Sequence, residues 1–414
     1  LSASTARASR QPRTARGVAV RALLLWQEGA SEFVDDALTR PELALQDERD
    51  GALARELSLG ALRFGLLYDH LCDAYLNRSR QPVQLRAVLR IGCHQLLALD
   101  RIPPHAAVAE SVAVLREIGQ GALTGVANAV LRRISTARLE VRTAPGPLGR
   151  LPESLHPADP SLRHSLPTLL IEHLRPLLDQ VPTRSLAALN EAPPLCTRTR
   201  PGKPQPQGAG ILRRDGPWTW WSDPQEALRC VVEEQLCVVQ DRAQGEVVAV
   251  ARPRPHEWVL DGCAAPGGKS TAFIDAGCRV ISADLHAEKV ARMSEPKARL
   301  VQNLSRGALA PIFDLVVADV PCSNSGVLAR RPEARWRYQA PILERLGRLQ
   351  RQILLGASRL VAGDGRLVYA TCSLAPQENQ AVSHTLRGWK VIGEQLSWPD
   401  AWQSGGYAAL LVRC

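Results

Sequence analysis

The sequence predicts an all-helical domain followed by an α/β domain built on a doubly wound parallel sheet. Three observations lead to that prediction. The chain has 414 residues, too many for one ordinary core, so two or three domains are expected. From about Gly17 to Ser135 apolar residues recur at three-and-four spacing, with no convincing strand among them. After Trp258 short apolar runs alternate with helical stretches, as in a parallel sheet covered by helices.

Residues 1–16 carry Arg7, Arg10, Arg13 and Arg16 among Ser, Ala and Thr with no acid, and read as a flexible basic tail. Within 17–135 the stretches Val18–Leu25, Leu53–Tyr68, Leu85–Leu99 and Ala106–Ile118 place apolar residues along helical faces. Pro103 and Pro104 break the run and start a fresh helix. Residues 136–160, rich in Pro, Gly and Arg, read as a linker. Residues 161–255 form a connecting subdomain. There Pro167–Leu189 is helical, and 190–255 mixes short strands with Pro-rich loops around Trp218, Trp220 and Trp221. Residues 256–414 hold the α/β domain, with strand runs at Trp258–Leu260, Arg279–Ala283, Leu315–Ala318 and Arg366–Tyr369. Ligands of such sheets sit beyond the carboxyl ends of the strands, so the informative residues follow each run.

Hydrophobic residues make up 45% of the chain, and no segment approaches the long uncharged apolar run of a membrane helix. The formal net charge is +10, carried almost wholly by Arg; the lysines are Lys203, Lys269, Lys289, Lys297 and Lys390. That balance favours an acidic partner, nucleic acid above all, although a GC-rich genome would raise Arg content by itself. Ten Cys are scattered with no C-x-x-C pair. This speaks against a zinc ribbon and a secreted disulfide scaffold, and fits a reducing cytoplasm. The expectation is a cytoplasmic monomer with no metal and no membrane contact. The start has no charged-then-apolar secretory pattern, and Leu1 in place of Met points to a trimmed chain or an unusual start codon.

The first run of the α/β domain leads into Asp261-Gly262-Cys263-Ala264-Ala265-Pro266-Gly267-Gly268-Lys269-Ser270. Small residues after a strand let the backbone approach a ligand, and the N-terminus of the next helix faces it with free N–H groups. A P-loop would need Gly at 263, where Cys263 stands, and no G-x-G-x-x-G is present. The second run ends in Asp284, where a carboxylate accepts from ribose hydroxyls; a solvated helix cap is the other reading. The third leads into Asp319-Val320-Pro321-Cys322-Ser323 and the fourth into Thr371-Cys372-Ser373. A lone Cys is usually core packing, but two thiols just past two strand ends point to chemistry.

These three motifs together resemble the RNA 5-methylcytosine methyltransferases. Gly326, Arg330, Pro332, Glu333 and Trp336 are spaced as in the RsmB (Sun/Fmu) type, which modifies small-subunit ribosomal RNA, and Pro376, Glu378 and Asn379 match the stretch after the second thiol. Residues 86–99 (RAVLRIGCHQLLAL), 102–110 (IPPHAAVAE) and 125–133 (GVANAVLRR) resemble the NusB-like RNA-binding domain that precedes such catalytic domains. Residues 190–198 (NEAPPLCTR) and Val239-Gln240-Asp241 resemble the connecting subdomain. The resemblance spans nearly the whole chain. It implies a NusB-like domain followed by a Rossmann-like, S-adenosylmethionine-dependent methyltransferase domain that methylates carbon 5 of a cytosine in 16S ribosomal RNA.

By this resemblance Cys372 is the nucleophile that adds to carbon 6 and turns carbon 5 into a nucleophile. Asp319 stabilises protonation at the ring nitrogen. Cys322 assists product release, and Lys269 supports the developing charge. Cofactor contacts are implied for Cys263, Ala264, Ala265, Pro266, Gly267, Gly268, Lys269, Asp284, Asn303 and Asp319. RNA contacts are implied for Arg330 and Trp336, with a solvated Arg and a core Trp as the other readings. The target base must be unpaired or leave its stack.

The sequence departs from the pattern on the adenine side. The stretch from Asp284 to Gln302 is short, and Asn303 or Leu304 stands where an acid is usual. Asn303 can accept from the adenine amino group through its carboxamide oxygen; Leu304 cannot. Arg200 replaces a usual Asn, and Gly405-Gly406-Tyr407 shortens a Gly-Asp-Gly-aromatic stretch. Two other readings stay open: an RNA-binding or ribosome-assembly protein on a decayed methyltransferase fold, and a transfer-RNA cytosine-5 methyltransferase. Retention of Lys269, Asp319, Cys322 and Cys372 favours the enzyme.

Overall fold

A computed structural model describes residues 14–76, 81–293, 295, 298–306, 310 and 312–414. The chain divides into two compact units, Leu1–Thr168 with Arg331–Arg335, and Leu169–Arg330 with Trp336–Cys414. Most of the expected basic tail lies outside the described residues. Its last part is helical: Thr14 caps the first helix by accepting from the Gly17 N–H, and Ala15 and Arg16 open it.

The first unit is helical, with long helices at Ala15–Gln27, Glu48–Arg63, Val83–Leu97, Pro104–Glu117 and Thr124–Ala137. The run expected over Leu53–Tyr68 breaks at Phe64, whose non-helical backbone separates Glu48–Arg63 from Gly65–Asp73. Helix Val83–Leu97 is buried at every residue from Ala87 onward, as a helix at the centre of a bundle must be. Its polar side chains are paired. Arg90 forks onto Asp69 at 2.9 and 2.5 Å, and His94 lies between the Tyr68 hydroxyl (3.0 Å) and Glu56 (3.1 Å). The segment 136–160 also belongs to this unit. The Leu139 N–H donates to the Arg150 carbonyl. Arg150 and Arg142 both hold Asp100, and their hydrogen bonds draw its carboxyl down to about 2.

The second unit opens with helix Thr168–Gln180 and a four-stranded antiparallel sheet of β1 (Leu195–Thr199), β2 (Ile211–Asp215), β3 (Trp218–Trp221) and β4 (Cys237–Val239), in the order β2-β3-β1-β4. A seven-stranded sheet follows, built from β5 (Trp258–Asp261), β6 (Arg279–Asp284), β7 (Arg299–Val301), β8 (Phe313–Asp319), β9 (Val361–Thr371), β10 (Trp389–Ser397) and β11 (Gly406–Arg413), in the order β10-β11-β9-β8-β5-β6-β7. Strands β5 to β9 are parallel, and each of the four expected runs lies in one of them. The sheet is nevertheless mixed, because β11 pairs antiparallel with both β9 and β10.

Consecutive residues of the central strands feed opposite cores, as the two-residue strand period requires. Val316, Ala318, Leu367 and Tyr369 pack with Ile353, Leu354 and Ala357 of helix Ala340–Ser358. Leu315, Val317, Val368 and Ala370 pack with Val247 and Ala251 of helix Arg242–Ala251 and Phe273 of helix Gly268–Asp275. Burial on both faces fixes the register of β8 against its neighbours: Asp261 lies opposite Val317, and Asp319 opposite Ala370. The carboxyl ends of β5, β8 and β9 therefore emerge side by side.

Candidate active site

Asp261 closes β5 and is fully buried. The Ser270 hydroxyl donates to its Oδ2 at 2.6 Å and lies 2.6 Å from the Ser282 hydroxyl. Burial pushes the Asp261 carboxyl up to about 6, against the pull of the Ser270 hydrogen bond. Its Oδ1 has no hydrogen-bond partner among the described residues. Leaving a buried acceptor unpaired costs about 1–3 kcal/mol, so this oxygen marks where a donor belongs.

The loop after Asp261 is held by its backbone. The Gly262 N–H donates to the Val317 carbonyl at 2.8 Å and the Ala264 N–H to the Ala283 carbonyl at 3.0 Å. A Cβ on Gly262 would come within 2.5 Å of the Leu304 side chain. Gly267, at φ +108°, takes a conformation that suits glycine and starts helix Gly268–Asp275. Asp284, at the end of β6, accepts from the N–H groups of Ala265 (3.3 Å) and His286 (3.0 Å). The helix is anchored from β1: Arg198 bonds Asp275 at 2.7 Å and Gln240 at 2.7 Å, and Gln240 donates to the Gly268 carbonyl at 3.0 Å. Arg200 completes the anchor by pairing with Asp275 and Glu295.

Lys269 Nζ lies 2.5 Å from Asp319 Oδ2 at the end of β8. Burial draws the Lys269 ammonium down, but the Asp319 carboxylate outweighs it and the net direction is up. Beyond Asp319 the two thiols meet, with 3.2 Å between Cys322 Sγ and Cys372 Sγ. The Cys372 thiol donates to Asn324 Oδ1 at 3.0 Å. Cys372 is the more open of the pair. Contact with Cys372, reinforced by burial, pushes the Cys322 thiol well up.

Glu378, almost fully buried, ties the two thiol loops together. It accepts from the Ser323 N–H (2.9 Å), the Ser323 hydroxyl, the Ser373 hydroxyl (2.7 Å) and Gln350 Nε2 (2.9 Å). Gln350 also donates to the Pro321 carbonyl at 3.0 Å. Asn379 accepts from the Thr371 hydroxyl at 2.7 Å and donates to the Ser373 carbonyl at 3.0 Å. Gly326 brings the loops into backbone contact: its N–H donates to the Cys372 carbonyl, and a Cβ there would strike Gly405 at 2.6 Å.

Comparison with known proteins places this arrangement. The family described as 16S rRNA methyltransferase RsmB/F matches residues 248–395, and the NusB family matches residues 13–136. A protein of Erwinia tasmaniensis named ribosomal RNA small subunit methyltransferase B is 31% identical over 360 residues, covering 80% of each chain. The chain belongs to the RsmB/F family of 16S rRNA methyltransferases. A Synechocystis relative, named probable ribosomal RNA small subunit methyltransferase B, is 29% identical over 395 residues, covering 84% of this chain and 82% of its own. The crystal structure of PH0851 shares the fold, with a TM-score of 0.70 at 20% identity, covering 98% of this chain and all of that one.

Within this RsmB/F chain the structure brings Lys269, Asp319, Cys322 and Cys372 together at one sheet edge, beside the loop 263–268. Other expected residues are differently engaged. Asn303 Oδ1 already accepts from both the N–H (3.1 Å) and the hydroxyl (2.6 Å) of Ser305. Both of its lone pairs are thereby used, so it does not offer an acceptor to an adenine amino group in this conformation. Arg330 donates to the carbonyls of Pro193 and Pro194, both at 3.1 Å, and lies 3.7 Å from Asp241. Trp336 is half-buried at the end of the 3-10 turn Pro332–Arg337. Asn324 and Gln350 were not expected from sequence, and Glu378 stood out only as a pattern match. Among the described residues no cluster of His, Cys, Asp and Glu forms a metal site, and no helix is long and apolar enough to cross a membrane.

Proposed function

We propose that this RsmB/F family member methylates carbon 5 of a 16S rRNA cytosine with Cys372 as nucleophile and Cys322 as the thiol of the release step. The contact between the two sulfurs, beside the Lys269–Asp319 pair, carries the reading. The Cys372 sulfur adds to carbon 6 of the ring. The attacking thiol gives up its proton and the ring nitrogen takes one up; the Asp319 carboxylate, paired with Lys269, accepts from that N–H and offsets the charge that develops there. Once carbon 5 carries the methyl group its proton leaves to solvent, the electron pair left behind closes the carbon 5–carbon 6 double bond and expels the Cys372 sulfur, and Cys322 assists that release.

The loop 263–268 and the carboxylates Asp261 and Asp284 suit S-adenosylmethionine. Asp261 Oδ1 is a buried acceptor facing no donor among the described residues, which fits the cofactor's ammonium. Asp284 stands at the strand end where ribose hydroxyls are held. Gly262, with no room for a Cβ beside Leu304, and Gly267, in the left-handed region, fix the path of the loop backbone. When bound, the cofactor supplies the electrophilic methyl group. Two facing thiols must stay reduced to act, which fits the cytoplasm.

The test is methylation of small-subunit rRNA with labelled S-adenosylmethionine, with transfer RNA as a parallel substrate. Label at a cytosine in rRNA, lost in Cys372→Ala, is expected. Full activity in Cys372→Ala, or label on transfer RNA alone, would overturn the reading.

A further inference from the structure

A neutral carboxamide stands between the two thiol loops. Asn324 sits in the left-handed region at φ +60°, which Asn adopts more readily than most residues with a side chain. Its Nδ2 donates to the Cys322 carbonyl at 3.2 Å, and this orients the carboxamide so that Oδ1 faces Cys372 Sγ at 3.0 Å. A thiol has one proton to give. With the Cys372 proton on Asn324, the 3.2 Å contact between the sulfurs is a Cys322 S–H pointing at Cys372. The donors therefore run in one direction, from Cys322 to Cys372 to Asn324.

That direction distinguishes two groups of identical chemistry. An acceptor on the Cys372 proton fixes where the sulfur points. When Cys372 gives up that proton, the Cys322 S–H already faces its sulfur and stabilises the thiolate. A thiolate at Cys322 would instead face a sulfur whose proton is committed to Asn324.

We propose that Asn324 is a positioning residue that holds the Cys372 proton and sulfur in place and sets the direction of the thiol pair, so that Cys372 attacks and Cys322 stays protonated until release. The inference rests on Cys372 being the nucleophile and adds to it the residue that makes the choice.

Two substitutions test it. Asn324→Gly keeps the left-handed backbone and removes the carboxamide. Asn324→Asp keeps the shape and adds a negative charge beside Cys372. The readouts are the pH midpoint of Cys372 alkylation by iodoacetamide, followed by mass spectrometry on the full-length protein, and the kcat and KM of rRNA methylation. In Asn324→Gly kcat is expected to drop about tenfold or more with KM for RNA unchanged. In Asn324→Asp the midpoint is expected to rise by about one unit or more. A wild-type midpoint in Asn324→Asp, or wild-type kcat in Asn324→Gly, would overturn the proposal and leave Asn324 a turn residue. Cys372→Ala run alongside separates the two claims. If it still methylates, the nucleophile assignment fails; if it is inactive and the Asn324 variants behave as wild type, only the present inference fails.

Discussion

On the β8–β9 side of the sheet edge the buried carboxylate Glu378 gathers four donors, whereas on the β5–β6 side the buried carboxylate Asp261 keeps one oxygen unpaired among the described residues. The first side is held by side chains of Ser323, Ser373, Gln350 and Asn379. The second is held mostly by backbone N–H groups of 262–265. The thiol pair is thus positioned by the protein alone, while the loop side reserves a costly acceptor for a ligand. Electrostatic and geometric preorganisation helps most where bonds are made, and an unpaired acceptor is tolerated where a ligand repays it.

Substitutions on the two sides should separate accordingly, and Cys372→Ala has the largest expected effect. Methyl transfer should fall by on the order of 10³-fold or more, while S-adenosylmethionine affinity by calorimetry stays within about threefold. A large loss of affinity would mean that the two sides are not independent. Next comes Glu378→Ala. It leaves the Ser323 N–H, Gln350 and two hydroxyls without their shared acceptor, so stability in urea should drop by about 2–4 kcal/mol, with kcat falling beside it. An unchanged midpoint would remove Glu378 as the tie between the loops.

Asp261→Asn should act through pH. The folded carboxyl is pushed up to about 6 from its ordinary 3.8, so the folded state binds the proton more tightly than the unfolded state. The stability this lends is full below about 4 and is lost as pH rises to about 6, at most about 3 kcal/mol. The variant should flatten the stability profile in that window and weaken cofactor binding at neutral pH. An unaltered profile would show that Asp261 does not titrate there. Asn303→Ala has the smallest expected effect. With Oδ1 engaged by Ser305, it should cost about 1 kcal/mol through the lost hydrogen bonds and change cofactor affinity by less than about threefold.

Residues whose chemistry is local were legible in the sequence. Asp261, Asp319, Cys322 and Cys372 each follow an apolar run, and a parallel sheet with adjacent β5, β8 and β9 brings such positions together. The helical unit was legible from its apolar period, apart from the break at Phe64. The C-terminal hairpin was not. In β10 partly buried and exposed residues alternate without a strong apolar face, and the edge strand β7, three exposed residues, was hidden as well. The partners of Arg330 were also hidden. An Arg in a motif region reads as an RNA contact, and only the tertiary fold brings the Pro193 and Pro194 carbonyls to it from 137 and 136 residues away. Asn324 and Gln350 escaped for the same reason, since their role lies in what they touch across about 25 to 50 positions of sequence.

The division of labour between the two thiols is tested most directly by Cys322→Ala incubated with rRNA and S-adenosylmethionine. A covalent protein–RNA adduct should accumulate, with mass spectrometry placing the cytosine on Cys372. Normal turnover with release of free methylated RNA, or an adduct at any other residue, would contradict the assignment.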